Sequence, residues 1–155
     1  MVKEQKYVCA YCCSKISVDK SHNEHIEPRH FPDGRHSDKT LDYKNLIASC
    51  NGYKVNSGTC GPHKENNYSY EKFVSPLNPE CEDVFSYYPN GEMVGDDYTI
   101  SLLNLNSFEL RQAREAVYKT IFNWERELIE QVFLDGDREE LEPFINVVKW
   151  YLKQV

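Results

Sequence analysis

An acidic residue and a histidine stand side by side early in the chain, within the segment 24–28, Glu-His-Ile-Glu-Pro. A histidine with a pKa near ~6.5 can take a proton from water at neutral pH, and a neighbouring carboxylate can hold a divalent cation. Adjacent side chains on a strand point to opposite faces, so these two can serve different roles in one site only where the strand ends or bends. Pro28 supplies a reason for it to end. The pair therefore indicates metal-assisted hydrolysis of a phosphodiester.

Cysteines flank this pair in a pattern typical of a structural zinc site. Cys9 and Cys12 are separated by two residues, so one tight turn can present both sulfurs to an ion. Cys50 and Cys60 are the best candidates for the other two tetrahedral ligands, with an inserted loop between them. Cys60 and His63 form a rival second pair that would leave Cys50 idle. Buried free thiols are the structural alternative at all of these positions.

The composition indicates one compact domain, or a small module with a helical extension. The chain has 155 residues, of which 40% are hydrophobic and 13% aromatic. The net charge of −7 is uneven, because residues 1–75 carry 11 Lys+Arg and 9 Asp+Glu whereas residues 76–155 carry 7 and 16. This balance argues against a protein that coats nucleic acid generally. The charge distribution is compatible with a nuclease whose basic residues lie in the first half of the chain. The acidic second half is then expected to face solvent or a protein partner.

The location expected from the sequence is the cytoplasm. No apolar run is long enough to span a bilayer, and the first residues lack the apolar stretch of a signal peptide. In a reducing compartment, six cysteines are expected to be metal ligands or buried thiols rather than disulfides.

Hydrophobic patterning predicts short strands in the first half of the chain, at residues 7–8, 15–18 and 22–28. A brief apolar element follows at 45–49, and one or two helical turns are predicted within 62–73. These small elements are the ones that must position the acid, the histidine and the cysteines.

The last third of the chain is predicted to be helical. Asn106 and Glu109 have the spacing of a capping box, and apolar residues recur at steps of three and four from Leu110 to Val132. Gly136 is the expected end of this long helix, and a second helix is expected near Pro143. The two helices predict a hairpin whose apolar faces belong to the core or dock on a partner subunit.

Five short motifs follow one another in the first half of the chain. In chain order they are Cys9-x-x-Cys12, Glu24-His25-Ile26-x-Pro28, Asp42-Tyr43-Lys44-Asn45-Leu46, Ser49-Cys50 and Cys60-Gly61-x-x-Lys64. In this order and approximate spacing, residues 9–64 resemble the HNH endonuclease family, which has a ββα-metal fold. The looser segments 73–81 and 103–114 resemble the subgroup found with retrons and in Septu-type anti-phage systems, where a PtuB-like HNH subunit works with an ABC/SMC-like ATPase.

The resemblance implies a role for three of these residues. His25 matches the general base, and Glu24 matches a ligand of the catalytic Mg2+ or Mn2+. Asn45 matches the middle asparagine, which supports the loop and orients the histidine.

The third position of the motif is where this chain departs from the family. The family has histidine or asparagine directly after the last cysteine, whereas this chain has Gly61 there, with His63 two residues later. His63 is therefore predicted as the second ligand of the catalytic metal. Glu65 or Asn66, one turn further along, is the alternative.

Basic residues of the first half are predicted to contact the phosphates of DNA, in a salt-dependent and sequence-independent way. His22 and His30 are secondary candidates for phosphate or metal contact. The predicted DNA-binding residues are Arg29, Arg35, Lys44 and Lys64, with Lys54 as a further candidate.

Together these features predict an α+β protein with a zinc-pinned ββα-metal core at residues 1–75. Residues 76–155 are predicted to form an irregular connector and the C-terminal helical hairpin. The predicted function is that of a metal-dependent HNH endonuclease acting on DNA, as the effector of an anti-phage complex with an ABC/SMC-like ATPase. The alternative is a non-catalytic zinc-binding adaptor that acts through its helices, with the ligand set Cys9, Cys12, Cys60 and His63.

Overall fold

A computed structural model describes residues 1–52 and 58–155. Most of the predicted inserted loop, including Lys54, lies outside the described residues. Two antiparallel strands form the first sheet, β1 at Ser21–His25 and β2 at Leu46–Cys50. The short helix α1, at Cys60–Lys64, follows β2 and packs against it. The described residues of the first half therefore contain a strand-strand-helix unit, and the mixture of strands and helices agrees with the predicted α+β class. The strand predicted at 15–18 is wrong, because only Lys15 pairs there, in an isolated bridge.

The register of the first sheet decides which side chains share a face. His22 lies opposite Ser49, Glu24 opposite Ile47 and His25 opposite Leu46. Side chains two residues apart on a strand point the same way, so His22 and Glu24 project from one face of β1. His25 is the last residue of the strand, and the chain continues from it towards Pro28.

The segment before the sheet forms a tight turn that presents two cysteines. Val8 and Lys15 pair in an isolated antiparallel bridge, and the amide of Cys9 donates to the carbonyl of Ser14 at 2.8 Å. Cys13 adopts a left-handed backbone conformation with φ of 60°. This closed turn places Cys9 and Cys12 on its inner side, where both are buried.

The second half contains a small hairpin and four helices. The hairpin pairs two-residue strands, and the helices follow it in the chain. The elements are β3 at Ser86–Tyr87, β4 at Met93–Val94, α2 at Asp97–Leu102, α3 at Phe108–Ile121, α4 at Arg126–Phe133 and α5 at Ile145–Leu152. Within the described residues, no helix is both long and apolar enough to cross a membrane.

The prediction of one long helix from Asn106 to Gly136 is wrong. The helix is interrupted between α3 and α4, where the amide of Trp124 donates a hydrogen bond to the carbonyl of Ile121, three residues earlier. The predicted cap is wrong as well, because Ser107 accepts the capping hydrogen bond and Asn106 instead bonds both backbone groups of Met93. Three helices rather than a two-helix hairpin therefore end the chain, with α5 packed on both α3 and α4.

One hydrophobic cluster joins the two halves of the chain. It contains Ile47 and Phe73 from the first half together with Leu103, Leu110 and Val147 from the second, all of them buried. Backbone hydrogen bonds cross the same boundary, including that from the amide of Cys60 to the carbonyl of Leu103 at 2.8 Å. The helices thus pack directly behind the unit that carries the cysteines.

Candidate metal and nuclease site

Four cysteines converge on one point at the base of the first sheet. The sulfurs of Cys9, Cys12, Cys50 and Cys60 all lie within 4.8 Å of one another, and all four residues are buried. Cys12 and Cys50 are 3.8 Å apart, and Cys9 and Cys60 are 4.0 Å apart. A tetrahedral zinc ion with Zn–S bonds of about 2.3 Å would separate its sulfurs by about 3.8 Å. The cluster therefore fits zinc in both residue type and spacing.

The four thiols of the cluster shift one another's pKa in opposite directions. Burial opposes the ionisation of Cys9, but hydrogen bonds from the other three sulfurs draw its pKa well below the ordinary value, and hydrogen bonds with Cys12 and Cys60 lower the pKa of Cys50. Contacts with the neighbouring sulfurs raise the pKa of Cys12 and of Cys60 well above the ordinary value. The amide of Cys50 also points at the Cys9 sulfur at 3.3 Å. A thiolate is the form that binds metal, and in this environment it is favoured at Cys9 and Cys50.

The structure groups Cys50 with the other cysteines and places His63 elsewhere. The Nδ1 atom of His63 lies 2.8 Å from the carbonyl oxygen of Leu102, which accepts a hydrogen bond from it. The rival zinc set that uses His63 in place of Cys50 is therefore not the one assembled here. Cys13 and Cys81 also lie outside the four-cysteine group.

Glu24 is held between a lysine and a histidine. Its Oε1 atom accepts a hydrogen bond from Lys64 Nζ at 3.0 Å, and its Oε2 atom lies 3.3 Å from His22 Nε2. Burial acts to raise the pKa of Glu24, but the hydrogen bond with His22 and the charge of Lys64 outweigh it, so the pKa is lowered. The hydrogen bond with Glu24 in turn raises the pKa of His22. Glu24 is thus an ionised carboxylate at neutral pH, as a metal ligand must be.

His25 is fixed through one ring nitrogen. Its Nε2 atom lies 3.0 Å from the carbonyl oxygen of Thr40, to which only an N–H can donate. In the neutral ring, the lone pair is then on Nδ1, which is the atom able to take a proton.

Asn45 supports the loop around His25 through the backbone. Its amide nitrogen donates to the carbonyls of Glu27 and Lys39, at 2.9 and 3.2 Å, and its side-chain oxygen accepts from the amide of Glu27 at 2.8 Å. Lys39 precedes Thr40, so Asn45 positions the carbonyl that holds the His25 ring. The orientation of His25 by Asn45 is therefore indirect.

The chain is similar to two curated proteins from retrons. It is 30% identical over 119 residues to the "Retron Vc95 putative HNH endonuclease" of Vibrio cholerae serotype O1 biovar El Tor, covering 76% of this chain and 50% of that protein. It is 30% identical over 108 residues to the "Retron Ec83 putative HNH endonuclease" of Escherichia coli, covering 64% of this chain and 35% of that protein. No family model matches. The two similarities support an HNH endonuclease family.

The chain spans about half the length of the first relative and about a third of the second. The HNH relationship agrees with the observed strand-strand-helix unit and its four-cysteine cluster.

The predicted DNA-binding residues fall into two groups. Arg29, Arg35 and Lys44 are exposed, although Arg35 is paired with Asp33 at 2.7 Å. Lys64 is completely enclosed, and its amino group also donates to the carbonyl of His25 at 3.0 Å. A DNA contact by Lys64 would require its side chain to leave this buried position.

Sequence reasoning ranks one feature of the site as secondary and misses another. The first is His22, a secondary candidate for phosphate or metal contact, although its spacing of two from Glu24 on a predicted strand is a usable signal. The second is the carbonyl of Thr40, a backbone group that leaves no mark in the residue types.

Proposed function

We propose that this protein is a metal-dependent HNH endonuclease that hydrolyses DNA. The observation that supports it best is the arrangement of His25, whose ring is held by the Thr40 carbonyl with Nδ1 left to accept a proton. Ionised Glu24 precedes it at the end of the same strand. The similarity to two retron proteins named as HNH endonucleases supports the same conclusion.

The proposed division of labour follows from these contacts. His25 Nδ1 takes the proton of the attacking water, and Asn45 keeps the loop that orients it in place. Glu24 presents Oε2 to Mg2+ or Mn2+, while Lys64 holds the other carboxylate oxygen. When bound, the divalent cation neutralises charge on the phosphate and assists the departing oxygen. Exposed Arg29 and Lys44 bind backbone phosphates and so supply binding that is largely independent of sequence.

We further propose that the endonuclease is the effector of an anti-phage complex with an ABC/SMC-like ATPase. The names of the two relatives associate those proteins with retrons. In this chain, Leu128 and Val132 lie four residues apart on α4 and are both exposed, as are Phe122 and Leu134 on either side of the helix. Exposed apolar side chains on one helix are suited to a protein partner.

The test is a nicking assay on supercoiled plasmid with Mg2+ or Mn2+. The chain is assayed alone and with its candidate ATPase and ATP, using wild type, His25→Ala and His36→Ala. His36 is an exposed histidine outside the proposed site, so its variant is the matched control. We expect the wild type and His36→Ala to nick equally, and His25→Ala to be slower by about 10²–10⁴-fold.

Two results would overturn the nuclease proposal. One is equal nicking by wild type and His25→Ala. The other is no nicking by the wild type in either setting, in which case the zinc-binding adaptor becomes the better description of the protein.

A further inference from the structure

The face of β1 that carries Glu24 also carries a histidine aimed at it. His22 Nε2 lies 3.3 Å from Glu24 Oε2, and His22 Nδ1 lies 3.2 Å from the side-chain oxygen of Asn51. An amide oxygen only accepts hydrogen bonds, so Nδ1 carries the hydrogen and Nε2 of the neutral ring has the lone pair. A lone pair on nitrogen therefore faces a carboxylate oxygen, and the two require a proton or a cation between them.

The spacing of these two atoms suits a shared metal ion. With metal-ligand bonds of about 2.1 Å, neighbouring ligand atoms are separated by about 3.0 Å at a right angle and about 3.4 Å at the tetrahedral angle. The observed 3.3 Å falls within this interval. Asn51 acts on the outer nitrogen of His22, as the partners of metal-bound histidines commonly do, by fixing the tautomer and the ring orientation.

Gly61 on α1 lies beside the same two groups. A Cβ atom added at Gly61 would lie 2.6 Å from both His22 Nε2 and Glu24 Oε2. Any side chain at this position would therefore enter the space between the two groups. The resemblance to HNH proteins leads one to expect histidine or asparagine here, and the glycine leaves that space to His22.

We propose that His22 is the second protein ligand of the catalytic divalent cation, and that Gly61 keeps the position of the ion clear. This inference rests on the proposed endonuclease function and replaces His63 as the predicted ligand. His22 Nε2 faces the proposed ligand Glu24 at 3.3 Å, whereas the hydrogen bond of His63 joins its Nδ1 atom to the carbonyl of Leu102.

The experiment measures binding of Mn2+ to zinc-loaded protein without DNA, by titration followed with electron paramagnetic resonance. The variants are His22→Ala, His63→Ala and the control His36→Ala, each checked for one zinc per chain. We expect His22→Ala to weaken Mn2+ binding by at least about 10-fold to 100-fold. His63→Ala and His36→Ala should bind Mn2+ as the wild type does.

A relocation variant tests the role of Gly61. The double variant His22→Ala/Gly61→His moves the imidazole from the strand to the helix, and it should bind Mn2+ more tightly than His22→Ala alone. Equally weak Mn2+ binding by the single and the double variant would contradict the idea that a side chain at position 61 reaches the same ion as His22. Unchanged Mn2+ binding by His22→Ala, or weakening by His63→Ala alone, would overturn the assignment of His22.

The two proposals can fail separately. Normal Mn2+ binding by His22→Ala with loss of nicking by His25→Ala would sink this inference and leave the endonuclease standing. Mn2+ binding that depends on His22, in a protein that never cleaves DNA, would support His22 as a metal ligand and overturn the endonuclease proposal.

Discussion

Replacing Lys64 with methionine removes one partner of an enclosed ion pair. The Lys64 side chain is 0% exposed, and its amino group bonds both Glu24 Oε1 and the carbonyl of His25 at 3.0 Å. Methionine retains much of the length and apolar surface of the lysine stem but has no charge. The Lys64→Met variant therefore leaves the Glu24 carboxylate without its cation and the His25 carbonyl without its donor.

The expected loss of stability follows from the burial of the pair. Removing one partner of a buried ion pair costs about 3–5 kcal/mol. Glu24 retains His22 as a partner and its side chain is 12% exposed, so the lower end of the range applies. A loss of about 3 kcal/mol lowers the Tm of a chain of this size by about 6–12 °C.

The pH dependence of this effect has a definite sign. The pKa of Glu24 is lowered in the folded protein, so the stabilisation by ionised Glu24 is present at neutral pH and is lost as the pH falls through that lowered value. The difference in Tm between wild type and Lys64→Met should therefore be greatest near pH 7 and should narrow on acidification.

The assay is thermal unfolding of zinc-loaded protein, followed by circular dichroism. Lys44→Met is the matched control, because Lys44 is an exposed lysine that was also predicted to contact DNA. Lys44→Met should leave the Tm within about 2 °C, since surface substitutions usually change stability by less than about 0.5 kcal/mol. Equal Tm values for Lys64→Met and Lys44→Met would refute the reasoning, because Lys64 would then be an ordinary surface cation.

Two further predictions concern the scaffold. Cys50→Ser should lower the zinc content, measured by atomic emission, to well below one ion per chain. Cys81→Ser, which changes a cysteine outside the cluster, should leave the zinc content unchanged. An unchanged zinc content in both variants would exclude Cys50 as a ligand. Asn45→Ala should lower the Tm by about 4–8 °C, because loss of its three hydrogen bonds to the backbone costs about 2 kcal/mol. An unchanged Tm would show that these hydrogen bonds are not needed for the stability of the loop.

The elements that sequence predicted well are those defined by strong local chemistry. The turn at Cys9 and Cys12 follows from metal-ligand spacing, and β2 follows from a short apolar run. The strand β1 has the sequence Ser-His-Asn-Glu-His, without an apolar residue, so only its place before Pro28 indicates it. The preference for Cys50 over His63 in the zinc cluster also agrees with the structure. That preference depended on a long insertion, whose cost grows only slowly with loop length.

The helix break could not be predicted from periodicity alone. The apolar spacing continues across residues 122–125, where the chain turns between α3 and α4. Ile121 of α3 and Ile129 of α4 nevertheless pack in the same small cluster with Val148 of α5. Tertiary packing decided the break, and a helical pattern carries no information about it.

The residue types of the candidate site could be named from the sequence, and their partners could not. Acidic, basic and imidazole side chains are identified by their types, but the enclosure of Lys64 depends on how α1 packs against the first sheet. A lysine in a basic first half is expected at the surface, because full burial of lysine is rare without a charge partner. Glu24 provides that partner, and no local pattern pairs residues forty positions apart.

The helix α1 connects the zinc cluster with the proposed catalytic metal. It has five residues, too few for a helix to be stable by itself, so its position must come from tertiary contacts. Its first residue, Cys60, belongs to the four-cysteine cluster, its second, Gly61, borders Glu24 and His22, and its last, Lys64, bonds Glu24. Zinc bound by the four cysteines would therefore fix the same turn of chain that borders the proposed catalytic metal site. Loss of a zinc ligand such as Cys50 should consequently weaken Mn2+ binding as well, although Cys50 has no contact with Mn2+ in the proposed site.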